Sequence, residues 1–189
     1  MIIAFSLTII GCEKGSALKE NSKTESLKVI KAAPVFTAEN FDGKVFKSED
    51  LKGKVWVGSL FFTNCKGPCP MLTSRLSTLK SEHEMDDNIA FVSISVDPAN
   101  DSIPALKSYA ERYGATADGK WHFVRMPKDS MERVVTKGFM LSGEDQPEVH
   151  STHFFLVDQS GQIRGYYDGA DEKRVVALEN DIQSLLKNN

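Results

Sequence analysis

Residues 54–70 read Lys54-Val55-Trp56-Val57-Gly58-Ser59-Leu60-Phe61-Phe62-Thr63-Asn64-Cys65-Lys66-Gly67-Pro68-Cys69-Pro70. The run up to Phe62 is apolar nearly throughout, which suits a central strand covered on both faces. It stops at Thr63-Asn64, and beyond Pro70 the residues Leu72, Leu76, Leu79 and His83 recur at helical spacing. The order is buried strand, cysteine loop, helix. In α/β folds the end of such a strand is where ligands and chemistry are placed.

Working outward, a second buried strand spans Ile89 to Val96 and ends in Asp97-Pro98. A helix is predicted from about Pro104, with Leu106, Ala110 and Tyr113 on one face and Gly114 as its stop. A short strand follows around Trp121 to Val124, then a helix near Ser130 to Met140. The segment Thr152 to Tyr167 reads as two strands about the turn Asp158-Gln159-Ser160-Gly161. Residues 172–187 close the chain as a helix whose stripe is Val175, Val176, Leu178, Ile182, Leu185 and Leu186. Upstream, Pro34-Val35-Phe36 and Phe41 to Phe46 read as an N-terminal hairpin, because Asp42-Gly43 between apolar residues favours a tight turn. Alternating strands and helices with a closing hairpin imply an α/β sandwich whose central mixed sheet is flanked by helices.

The N-terminus reads differently. Residues 1–10, MIIAFSLTII, are about half the length of a membrane-crossing helix. Gly11-Cys12 and a polar stretch follow, the pattern of a lipoprotein signal segment in which Cys12 is lipidated and becomes the anchor, with an uncleaved or merely cleaved leader as the alternative. Residues 13–33 are rich in Lys, Glu, Ser and Asn, the composition of a flexible tether. The division is therefore a signal segment over 1–11, lipidated Cys12 and tether over 12–33, and one folded domain over 34–189. The chain's 189 residues, 41% of them hydrophobic, can bury a sizeable core, so general disorder is excluded. A net charge of −3 without a Lys/Arg block excludes a nucleic-acid footprint.

The chemistry concentrates at Cys65 and Cys69. Pro70 suits a first helical position, which puts Cys69 at the N-cap and Cys65 in the loop, both facing the positive end of a helix that favours thiolate. An inert structural disulfide, common in exported proteins, is the plainer reading. Two functional readings stand beside it. A redox dithiol usually has two intervening residues, whereas Lys66-Gly67-Pro68 makes three here. A soft thiolate pair also suits copper, with an imidazole as a further ligand. Of the four histidines, His83 continues a helix stripe and His122 sits inside a short strand, both ordinary packing or surface positions. His153 enters the strand Phe154 to Val157, while His150 stands just ahead of it after the Gly143 to Pro147 loop, where it can reach a neighbouring site.

Phe62-Thr63-Asn64-Cys65-Lys66-Gly67-Pro68-Cys69-Pro70, then Ser95-Val96-Asp97-Pro98, then His150-Ser151 leading into Phe155-Leu156-Val157-Asp158 and Gly161, resemble the SCO/SenC family over about residues 34–187. The resemblance implies a thioredoxin-like fold and a membrane-tethered, copper-binding protein that assists assembly of the copper A centre of cytochrome c oxidase. It places the copper ligands, for Cu(I) or Cu(II), at Cys65, Cys69 and His150, and matches Asp97 to a strand-end Asp that serves the turn or supports the site. Val149 stands where the family often has an acidic residue. The implied partner is the apo copper-bearing oxidase subunit or another copper or thiol partner. The implied location is the cell envelope, lipid-anchored with the domain on the extracytoplasmic side. The competing activity is a thiol-disulfide reductase with Cys65 and Cys69 as its redox pair; a peroxide-reducing protein is weaker, since nothing pairs with a single peroxidatic cysteine.

Overall fold

The computed structural model describes residues 27–116, 119–141 and 151–187. In chain order its elements are β1 (Lys31–Ala32), β2 (Thr37–Asn40), β3 (Val45–Lys47), β4 (Val55–Phe61), α1 (Cys69–Glu82), β5 (Ile89–Ser95), α2 (Ile103–Arg112), β6 (Trp121–Arg125), α3 (Lys128–Glu132), β7 (His153–Val157), β8 (Gln162–Asp168) and α4 (Glu172–Lys187). One sheet takes all the strands in the order β1-β8-β7-β4-β5-β6-β2-β3. β4, β5 and β6 are parallel, and the remaining pairs are antiparallel, so the sheet is mixed as the sequence implies.

All residues of β4 and β5 are buried, which explains their unbroken apolar runs. Side chains alternate between faces. Val55, Val57 and Phe61 join Leu72, Leu76 and Leu79 of α1, Leu106 and Tyr109 of α2 and Leu178 and Ile182 of α4 on one face. Trp56 and Leu60 join Val134, Phe139 and Phe155 on the other. Helix α2 starts where Ser102 caps it by accepting from the Ala105 N–H. It stops at Gly114, whose φ of +79° is a conformation glycine adopts freely.

Three boundaries differ from the sequence reading. The hairpin turns at Asp42-Gly43 as expected, but its arms are residues 37–40 and 45–47, because Phe36 is held by the Ser48 side chain instead of a strand partner. The helix near Ser130 is α3 followed by a π turn over Arg133–Gly138, with the Leu141 N–H reaching back to the Val135 carbonyl. The chain also joins the sheet ahead of Pro34: Ile30 N–H donates to the Ile163 carbonyl at 2.9 Å, β1 pairs with β8, and the Arg164 guanidinium bonds the Leu27 carbonyl. Residues 27–33, assigned to the tether from composition, thus lie on the edge of the sheet. Cys12 and the rest of the signal segment and tether lie outside the described residues.

Gly58 marks the tightest approach on the central strand. A Cβ there would lie 2.0 Å from Cε2 of its cross-strand neighbour Phe155, whose ring is fully buried and has Phe139 4.1 Å away. Neither ring has room to retreat. Gly58→Ala should therefore destabilise the domain by about 2 kcal/mol or more, read as a lowered urea midpoint at unchanged slope.

Candidate metal centre

The loop after β4 is built by hydrogen bonds at both ends. Val96 N–H donates to the Phe61 carbonyl, keeping β4 and β5 paired to their last residues, and Cys65 N–H closes a turn onto the Phe62 carbonyl at 3.2 Å. Inside that turn, Thr63 donates from its N–H and from its Oγ1 to Asp101. At the far end Leu72 N–H donates to the Pro68 carbonyl at 3.0 Å, so Pro68 takes the cap position and Cys69 is the first helical residue. That is one residue earlier than the sequence reading. Pro70 still falls in the first turn, where its missing N–H leaves no intrahelical bond unmade.

Cys65 and Cys69 are both buried and both free thiols. They pack in the same apolar cluster as Phe61, Leu72 and Tyr109, close enough for the two thiols to interact. Burial pushes the Cys69 thiol up to about 12, and the Cys65 hydrogen bond adds to the rise; backbone hydrogen bonds from Phe62 and from Cys69 itself offset only part of it. The expectation that the helix N-terminus favours thiolate at Cys69 is therefore corrected: desolvation outweighs the helix field, and the metal-free thiol is neutral near pH 7. Beneath Cys69, Thr73 Oγ1 donates to the Cys69 carbonyl at 2.8 Å and lies 3.0 Å from the Tyr109 hydroxyl.

His150 falls outside the described residues, as do Val149 and the rest of 142–150. The chain re-enters with Ser151, whose Oγ accepts from the His153 N–H, and Thr152, whose carbonyl accepts from the Gly169 N–H at 2.8 Å. His153 is exposed at the start of β7, opposite Asp168. His83 ties α1 to α4 through Glu179 at 3.0 Å, and His122 packs its ring 4.8 Å from that of Phe46. Among the described residues no group of three or more His, Cys, Asp or Glu is arranged to hold a metal ion.

The sequence profile of the family described as SCO1/SenC matches residues 25–187. The chain belongs to the SCO1/SenC family. The SCO1 protein homolog of Bacillus subtilis is 32% identical over 156 residues, which cover 79% of this chain and 80% of that one. The structure of a SCO1/SenC family lipoprotein from Bacillus anthracis is similar at TM-score 0.72 and 30% identity, covering 82% of this chain and 95% of the other. BsSco, a member of the Sco family of cytochrome c oxidase assembly proteins in which a disulfide switch was identified, is similar at TM-score 0.72 and 29% identity, covering 84% and 95%. The sheet with its flanking helices is thus the thioredoxin-like fold of Sco proteins.

In this SCO1/SenC chain Asp97 serves its turn. Its carboxylate accepts from the Asn100 side chain at 2.9 and 3.0 Å, and its carbonyl accepts from the N–H groups of Asn100 and Asp101. The residue that sequence reasoning missed is Asp101, a fully buried carboxylate between the ends of β4 and β5. Nothing in the local pattern marks it, because its partner Thr63 is 38 residues away in sequence. Thr73 and Tyr109 escaped notice for the same reason: a helix stripe shows that a residue is buried, but not that its hydroxyl meets another element.

Proposed function

We propose that this chain is a membrane-tethered copper metallochaperone that assists assembly of the copper A centre of cytochrome c oxidase, with Cys65, Cys69 and His150 as the copper ligands. The observation that carries the reading is the pair of free, buried thiols side by side in one cluster at the strand-to-helix junction. Two adjacent sulfurs suit Cu(I), and an added imidazole makes a set that also accepts Cu(II). Membership of the SCO1/SenC family and the likeness to BsSco support the role in oxidase copper assembly. Copper is cargo here. Binding displaces thiol protons, delivery proceeds by ligand exchange to the apo copper-bearing subunit, and oxidation of the pair to a disulfide removes both sulfur ligands.

Copper titration of the reduced protein, followed by thiolate-to-copper absorption and then gel filtration, tests the reading. About one copper per chain should survive the column, as a fixed ligand set requires. If none survives, while the protein catalytically reduces a partner disulfide and needs both Cys65 and Cys69 to do so, the thiol-disulfide reductase reading replaces it.

The tether is part of the proposal. No helix among the described residues is long and apolar enough to cross a membrane. Ile9-Ile10-Gly11-Cys12 supplies the lipidation pattern, and the similar Bacillus anthracis protein is a lipoprotein. Cys12→Ser should move the protein from the membrane to the soluble envelope fraction, because only a polar tether then remains. Wild-type protein found wholly soluble would refute the anchor.

A further inference from the structure

We infer that Asp101 is a positioning residue that sets Cys65 against Cys69. The inference rests on the copper-site reading above and names what holds that site in register. Asp101 is fully buried, a costly place for a carboxylate unless donors surround it. Donors do surround it. Oδ1 accepts from Thr63 N–H at 3.0 Å and from Thr63 Oγ1 at 2.5 Å, and Oδ2 accepts from Ser95 Oγ at 2.5 Å. Its backbone is fixed independently, the N–H donating to the Asp97 carbonyl at 2.9 Å and the carbonyl accepting from Arg125 Nη1 at 3.2 Å.

These bonds act on the turn that carries Cys65, not on the helix that carries Cys69. Thr63 is the second residue of the turn Phe62–Cys65, and both of its donors end on a single oxygen of Asp101. That turn throws Cys65 off the end of β4. The Cys69 backbone is held separately, by helix α1 and by the Thr73 hydroxyl, which the Tyr109 hydroxyl backs. Releasing Asp101 therefore frees the turn that carries Cys65 to shift against helix α1, which holds the Cys69 backbone. A two-sulfur site is sensitive to such a shift, since ligands must be held within about 0.5 Å of their working geometry.

The test compares Asp101→Ala and Asp101→Asn in the full chain. It reads copper affinity, the energy of the thiolate-to-copper band, the dithiol-disulfide equilibrium in glutathione buffers, and thermal unfolding. Asn keeps an Oδ1 for Thr63 and can donate to Ser95 Oγ, so it preserves geometry while removing charge. Asp101→Ala should weaken copper about tenfold, the lower end of the range for groups that orient ligands, move the band and shift the dithiol-disulfide constant severalfold. Asp101→Asn should restore all three to within about twofold of wild type. If Ala lowers only the unfolding temperature, or if Asn falls as far as Ala, the inference is overturned. Should Asp101→Ala fail to fold, Thr63→Val, which removes one donor, should move the band and the dithiol-disulfide constant in the same direction, and Ser95→Ala should not; equal effects of those two would also overturn it. The dithiol-disulfide constant needs no copper, so it judges Asp101 even if wild-type protein binds none and the copper reading itself falls.

Discussion

His150→Ala should weaken copper binding by the reduced protein at least about a hundredfold, whereas His153→Ala should stay within about threefold of wild type, since even groups one bond beyond the ligands cost up to about a hundredfold. Strand geometry turns His153 away from the cysteines. Phe154 and Leu156 of β7 enter the cluster that contains Cys65 and Cys69, while Phe155 and Val157 enter the cluster on the opposite face. Alternation along the strand puts His153 on the Phe155 side, away from the cysteines. It is also exposed, and it lies close enough to Asp168 to help hold that carboxyl below its ordinary range, after the Ala170 N–H and the Thr152 side chain. His150 lies ahead of the strand, where alternation imposes no such direction. Copper titrations of the two variants decide the matter, and equal losses in both would show that the ligand assignment is wrong.

What the sequence made legible follows from which signals are local. The strand over 54–62 was readable because β4 is buried on both faces and so carries no polar interruption beyond Ser59, which pairs with Ser93 at 3.1 Å. The closing helix over 172–187 was readable because one face packs on the sheet while the other meets water, which leaves a stripe. The edge strand β1 was not readable: Lys31 and Ala32 pair with β8 through backbone groups that any residue supplies, and their side chains look like tether. The π turn at Arg133–Gly138 also has no local signal. Gly138 is required there because Pro34, distant in sequence, would lie 2.6 Å from a Cβ. At the site, the CxxxC spacing gave the pair, but the protonation of Cys69 depends on how much apolar surface closes over it, and that is settled by helices α1 and α2 and the end of β4 together.

The buried, neutral thiol of Cys69 bears on the choice between carrying copper and reducing disulfides. A thiol held up to about 12 is scarcely ionised at neutral pH, and thiolate is the form that attacks a disulfide, so Cys69 is poorly prepared as an attacking group. Copper binding is less hindered by this, because the ion displaces the proton as it binds and its bonds to sulfur replace the lost solvation. Oxidation of the two copper-bound thiolates of Cys65 and Cys69 to a disulfide sends two electrons to the oxidant and releases no proton, because copper displaced both protons as it bound. In the proposed site it leaves neutral sulfurs in place of the two thiolates, with His150 as the remaining proposed donor. The oxidised protein should therefore bind copper at least about a hundredfold more weakly than the reduced protein. Protein loaded with copper, divided, and passed through gel filtration before and after treatment with a disulfide-forming oxidant should carry its copper only in the untreated half, and Cys65→Ser should elute as the oxidised sample does. Copper held equally by both halves would mean that the thiols are not its ligands, and the redox-switched chaperone would have to be abandoned.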